Sequence, residues 1–419
     1  MKIGIEAQRI FRPKKHGMDI YALELIRNLQ RLDKINEYYI FVKAGEDVCL
    51  SESENFKIIE VKGVTYADWE QYHLPKAMRQ YNIDLAHFTS NTAPLSINIP
   101  YILTLHDIIF LETLPWKGTA YQKLGSVYRR YIVPSVSRKA LKILTVSNFE
   151  KINIQRVLGQ SDSRVQTVYN GLSPLFSEKK EKKATENTLL KYMIPDQYIF
   201  FLGNMAPKKN MFNVLKAYRN YCWRNDEPLP LVVAESNQKQ IKKMLIELGS
   251  ENMMGQIVLP GYISHQELSI LYQNSSLFLY PSLRESFGLP ILEAMASSTP
   301  VITSNVSAMP EIAGNAAHLV DPLKVEEILK GIEKILGDKV YAKNLIEKGL
   351  ERSELFSWEN TAIETLAVYR EAEESHISKN KKVSHNPRSI IKPITFNKHD
   401  LHKRYNKNNW NRNDKKYNI

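Results

Sequence analysis

Residues 285–293 read Glu285-Ser286-Phe287-Gly288-Leu289-Pro290-Ile291-Leu292-Glu293, two carboxylates eight positions apart around a glycine turn and a helix start. Just upstream, Leu277 to Tyr280 is a short apolar run closed by Pro281-Ser282, the pattern of a buried strand. Downstream, Pro290 followed by Ile291, Leu292, Ala294 and Met295 predicts a buried helix, because proline in a first turn gives up no hydrogen bond that the helix needs. This order puts Glu285 in the loop beyond the carboxyl end of a strand and Glu293 one turn into the helix. The N–H groups at the start of such a helix face the same crevice and favour anions. Carboxylates accept hydrogen bonds from vicinal hydroxyls, while Gly288 lets backbone approach a phosphate. A ligand made of sugar, ribose and diphosphate suits that combination. Taken singly, Glu285 reads as a solvated loop residue and Glu293 as a carboxylate favoured by the helix dipole.

Working outward, short β-branched and apolar runs recur between helical segments. The first series is Ile3–Ile5, Tyr39–Val42, Ile58–Val61, Leu85–Phe88, Ile102–Leu105, Ile143–Val146 and Val165–Val168. After a charged stretch, Ser177–Asn187, a second follows: Ile199–Leu202, Leu229–Val233, Ile257–Leu259, Leu277–Leu279, Val301–Thr303 and His318–Val320. The alternation predicts an α/β chain with two Rossmann-like domains, at 1–172 and 173–372, each a parallel sheet covered by helices, followed by a tail at 373–419. In such sheets ligands collect outside the carboxyl ends of the strands, which points to the cleft between the domains. A dinucleotide oxidoreductase is excluded by its own motif. After the first strand the chain reaches no glycine before Gly17, the second domain's first strand leads into Gly203-Asn204-Met205-Ala206-Pro207-Lys208-Lys209-Asn210, and neither turn has the G-x-G-x-x-G spacing.

Glu285, Phe287-Gly288-Leu289-Pro290 and Glu293-Ala294 together resemble the E-x7-E signature of the retaining glycosyltransferases of family 4, which have the GT-B fold. The resemblance runs from Lys2 to about Arg370 and is closest to the bacterial mannosyltransferase-like branch that builds O-antigen and capsule chains. It implies a hexosyltransferase, with mannose from GDP-mannose as the expected donor and a growing glycan or polyprenyl-diphosphate-linked glycan as acceptor. Glu285 would position the donor hexose, Ser286 to Leu289 would contact the donor, and Glu293 would hold the ribose. Phe201-Leu202-Gly203 and Pro207-Lys208-Lys209-Asn210 resemble the family's diphosphate-binding turn. Lys209 matches the family's lysine, Lys208 stands where arginine is usual, and Asn204 stands where some members carry a further arginine. Alone, two adjacent lysines would read as a solvated turn. His106, closing Ile102-Leu103-Thr104-Leu105-His106-Asp107, resembles the family's active-site histidine in the first domain; without that likeness it would read as a satisfied structural residue. His16-Gly17-Met18 resembles a glycine loop at the donor phosphate, reduced here to Gly17. Two rivals remain at this point: a sugar-nucleotide epimerase on the same fold, and a noncatalytic nucleotide-sugar-binding scaffold.

There is no D-x-D and no His/Cys cluster with ligand spacing, so no metal and no cofactor is expected; lysines and a helix terminus would face the diphosphate. Cys49 and Cys222 read as packing residues in a reducing compartment. The first residues enter a strand pattern at once and lack a signal peptide, which predicts a cytoplasmic protein. Of the formal charge of +12, +10 falls in His376–Ile419, where 12 basic residues meet only Asp400 and Asp414. That tail reads as disordered, with an anionic membrane surface on the inner face of the cell membrane as a candidate partner. No nucleic-acid partner is expected, since Tyr405 and Trp410 among lysines make no recognised module. Tyr121–Lys139 reads as a basic, aromatic helix that packs on its own sheet or lies on a bilayer.

Overall fold

The computed structural model describes residues 1–112, 120–203 and 206–384. Asn204 and the tail beyond Ser384 lie outside the described residues.

Two parallel sheets form within one compact unit, Met1–Ala372. The first contains β1 (Lys2–Glu6), β2 (Glu37–Val42), β3 (Phe56–Glu60), β4 (Leu85–Phe88), β5 (Tyr101–Thr104), β6 (Lys142–Thr145) and β7 (Val165–Thr167), in the order β3-β2-β1-β4-β5-β6-β7. The second contains β8 (Ile199–Leu202), β9 (Leu231–Ala234), β10 (Ile257–Gly261), β11 (Leu277–Tyr280), β12 (Val301–Ser304) and β13 (His318–Val320), in the order β10-β9-β8-β11-β12-β13. Every pairing between these strands is parallel. Central strands such as β4 and β11 are buried at every position because helices cover both faces. That is why they read as unbroken apolar runs rather than alternating ones. In each sheet the order reverses beside the first strand, at β1/β4 and at β8/β11. Those two switch points are where loops diverge and leave room for a ligand.

The helical bounds differ from the sequence expectation at their polar ends. Gly17, read from sequence as part of a loop, opens the helix Gly17–Leu32, where Asp19 accepts a hydrogen bond from the His16 amide at 3.0 Å. The charged stretch Ser177–Asn187, which separates the two series of strands, is partly helical: a helix runs Lys182–Lys191. The closing helix extends over Trp358–Ser384, so the first part of the segment expected as a disordered tail is helical. The helix Ala120–Lys139 buries Ile132, Val133 and Val136 and leaves Leu124, Val127 and Tyr131 exposed.

The stretch up to Ala372 returns to the first lobe. Trp358, Ala362, Leu366, Tyr369 and Ala372 share a core with Ile3, Ile5, Leu25 and Tyr38. Beneath that core, His87 bridges Tyr369 Oη and Thr104 Oγ1, each at 2.7 Å, and Thr104 Oγ1 lies 3.2 Å from Tyr21 Oη. Burial pushes the His87 imidazole down to about 3, so it stays neutral and divides its two nitrogens between the hydroxyls.

Candidate active site

Because β8 and β11 are neighbours, the loops that follow them meet. The Leu283 amide donates to the Lys208 carbonyl at 2.7 Å. Lys208 and Lys209 occupy a single 3-10 turn, Pro207–Lys209, which ends at Asn210 in the left-handed region with φ of 60°. Asn210 is pinned there, its Nδ2 donating to the carbonyls of Pro281 at 2.9 Å and Pro322 at 2.7 Å. Lys209 Nζ donates to Tyr280 Oη at 2.7 Å and lies 2.8 Å from Glu285 Oε1. Lys208 Nζ lies 3.4 Å from Glu285 Oε2. Gly203 has no alternative here: a Cβ would come within 2.7 Å of the Phe201 ring.

The two glutamates of the opening motif have opposite electrostatics. Burial disfavours the Glu285 carboxylate, but the charges of Lys209 and Lys208 outweigh it and hold the group below its ordinary range, ionised. Glu293 is equally buried and, among the described residues, receives a side-chain hydrogen bond only from the Tyr272 hydroxyl, at 3.1 Å. Burial pushes it up to about 7, with the Glu235 charge adding to the rise. Between them the helix Leu289–Ala296 starts at Gly288, whose φ of 105° and close approach to Ile291 Cδ1 admit no side chain. Phe287 turns into the core, against Tyr169 and Phe356, so only its backbone is left to face a ligand. Leu289 likewise packs against that core.

In the first lobe, His106 follows β5. Its Nε2 lies 2.9 Å from the Thr89 carbonyl, which can only accept, so Nε2 carries the proton and Nδ1 is left as an acceptor. Its amide donates to Asn91 Oδ1 at 2.6 Å, and the Tyr21 ring meets the imidazole edge-on at 4.7 Å. Burial lowers the imidazole's affinity for a second proton, which keeps the ring neutral. Gly17 opens the helix Gly17–Leu32 with nothing among the described residues within 4 Å of where a Cβ would stand.

Residues 16–174 match the family profile described as Glycosyltransferase Family 4, and residues 191–352 match that of Glycosyl transferases group 1. The O-antigen chain mannosyltransferase B of Escherichia coli is 32% identical over 375 residues, 84% of this chain and 96% of that one. The chain belongs to glycosyltransferase family 4. The O-antigen chain mannosyltransferase RfbU of Salmonella typhimurium is 27% identical over 61% of this chain and 66% of its own. Among solved structures, sucrose-phosphate synthase from Thermosynechococcus elongatus superposes with a TM-score of 0.69 over 89% of this chain and 99% of that one, at 18% identity. The two lobes of this family 4 enzyme are thus those of the GT-B fold.

Within this glycosyltransferase, Lys208, Lys209 and Glu285 converge on one another, and Glu293 lies near enough for the Lys209 charge to act on it. His106 finds its hydrogen-bond partners, Thr89 and Asn91, in the first lobe. Sequence reasoning missed Tyr280, Tyr272 and Asn210. Tyr280 carried a legible signal, a hydroxyl at the last position of an apolar strand; the others are fixed by loop geometry. Among the described residues no group of three or more His, Cys, Asp or Glu could hold a metal ion, and no helix is long and apolar enough to cross a membrane.

Proposed function

We propose that the enzyme is a retaining, metal-independent mannosyltransferase that moves mannose from GDP-mannose onto a growing cell-surface glycan carried on a polyprenyl diphosphate. The mannose and O-antigen assignments are supported by the names of the two bacterial relatives. The observation that carries the mechanism is the convergence of Lys208 and Lys209 on Glu285 beside the helix start at Gly288. Two cations face one carboxylate, which leaves one positive charge in excess for a diphosphate. When the glycosyl bond breaks, negative charge grows on the leaving diphosphate, and cations already placed there lower the barrier without reorganisation. The sugar's carbon–oxygen bond to phosphate breaks, the acceptor oxygen attacks from the same face, and its proton passes to the departing phosphate oxygen. Glu285 holds donor hydroxyls, His106 Nδ1 accepts from the hexose, and Glu293 faces the ribose. The basic tail keeps the enzyme at the inner face of an anionic membrane.

The test is transfer of label from GDP-mannose, with and without a glycan acceptor, in the presence of a chelator. The expected outcome is acceptor-dependent transfer giving an α-linked product, unaffected by chelation. Activity lost on chelation and restored by manganese would overturn metal independence. Donor conversion without acceptor would favour the epimerase, and no turnover with intact binding the scaffold.

A further inference from the structure

The residue immediately before Glu285 reaches out of its own lobe. Arg284 Nη1 lies 2.6 Å from Glu150 Oε1, and Nη2 lies 3.0 Å from Glu112 Oε1, both acids belonging to the first lobe. Its guanidinium sits 4.6 Å from the centre of the Phe149 ring. The same Nη1 donates to the Glu285 carbonyl at 3.2 Å and lies 3.4 Å from Ser307 Oγ. Ser307 clamps Glu285 from the other side, donating to its carbonyl at 2.5 Å and accepting from its amide at 3.0 Å. One residue further on, Ser147 Oγ of the first lobe donates to the Ser286 carbonyl at 2.6 Å.

We infer that Arg284 is a positioning residue for transfer: paired with Glu150 of the opposite lobe, it fixes the backbone that carries Glu285, so that the donor carboxylate is set only when the two lobes are joined. Stability is a poor reason for this pair. The Glu150 side chain has no solvent exposure, and removing two charges from water costs about as much as their attraction returns, so that an apolar pair of similar volume would hold the lobes together as well. What an apolar pair could not do is hold the Glu285 carbonyl by hydrogen bond while anchored on the first lobe. A displacement of about 1 Å at a reacting group can cost on the order of 100-fold in rate, which makes such an anchor consequential.

The inference rests on Glu285 acting in donor chemistry as proposed above. The experiment measures kcat for sugar transfer and Kd for GDP by calorimetry, with thermal unfolding as a folding check. Variants are Arg284→Gln, Glu150→Gln, the double variant and Glu112→Gln, all in the full chain. Arg284→Gln and Glu150→Gln are each expected to lower kcat about 10- to 100-fold. GDP affinity should stay within about 2-fold, because the lysines and Glu293 are untouched. The double variant should be no slower than the poorer single, since both remove one contact. Glu112→Gln, at the more exposed arm of the fork, should cost less than about 3-fold. Should either Gln variant fail to fold, Arg284→Lys, which keeps the charge and loses the fork, must fall below wild type in kcat with GDP affinity kept. Singles within about 2-fold of wild type in kcat, losses that multiply in the double, or Kd rising in step with the loss of kcat would overturn it. Wild-type protein that binds no GDP and transfers no mannose would instead count against the donor reading.

Discussion

Glu285 and Glu293 look equivalent as letters in a motif, yet their surroundings make them different chemical species. Glu285 meets two lysines and is an anion; Glu293 meets a tyrosine hydroxyl in a buried site, and burial pushes its carboxyl up to about 7. For Glu293 the folded-state value lies above its ordinary 4.5, so between these limits the native state binds more protons than the unfolded chain. Stability attributable to this group is therefore intact below about pH 4.5, falls as pH rises toward 7, and levels off above it. The loss is on the order of 3 kcal/mol at most. Glu293→Gln, which keeps an oxygen for Tyr272 and removes the charge, is expected to unfold at higher temperature than wild type at pH 8 and to match it at pH 4.5. Parallel melting curves across pH 4 to 8 would show instead that folding leaves the proton affinity of Glu293 unchanged.

Elements in this fold are joined across the lobes by groups that sequence periodicity does not reveal. Glu311, in the helix Met309–Ala313 of the second lobe, accepts from the Asn148 amide at 2.7 Å, the Phe149 amide at 3.0 Å and the Tyr169 hydroxyl at 2.8 Å. It thereby serves the unpaired N–H groups of a first-lobe helix, Asn148–Leu158. Glu311→Gln leaves one oxygen and removes the charge that the helix N-terminus favours, so a loss of about 1 kcal/mol is expected in denaturant unfolding. An unchanged midpoint would mean that water or Ser147 satisfies those amides as well. The central strands were legible from sequence because a strand buried on both faces must be a short unbroken apolar run, as Phe278 and Leu279 are, while the partly exposed edge strands β3, β10 and β13 were legible by their β-branched and apolar residues and their place in the series. The E-x7-E loop was legible too, since glycine and proline mark its turn and helix start. Glu311 and Asn148 stand 163 residues apart, Arg284 and Glu150 stand 134 apart, and His87 and Tyr369 stand 282 apart. Nothing local in either partner of these pairs points to the other. Such contacts follow only once topology has placed the strands.

At the scale of the whole molecule, the last helix ties the end of the second lobe's chain back to the first. Up to Ala372 it belongs to the first lobe's core, and Glu359 and Glu371 pair with Arg31 and Lys142 at 2.8 Å each. A chain cut before Trp358 would leave Leu366 and Tyr369 missing from that core and His87 without its tyrosine. A chain ending at Ser384 keeps all of this and loses a segment with nine basic residues and two acids. Each lysine or arginine near an anionic leaflet contributes about 1 kcal/mol, and salt screens it within about 10 Å at 0.1 M. If the tail is the membrane tether proposed above, the full chain should sediment with phosphatidylserine-containing vesicles at low salt and be released at high salt. The chain ending at Ser384 should stay in solution under both conditions while binding GDP and transferring to a water-soluble acceptor like wild type. Equal sedimentation of both chains would move the membrane contact to another surface, with the exposed Leu124, Val127 and Tyr131 face as the next to test. Loss of GDP binding on truncation would mean that the tail acts on the donor lobe rather than on a membrane.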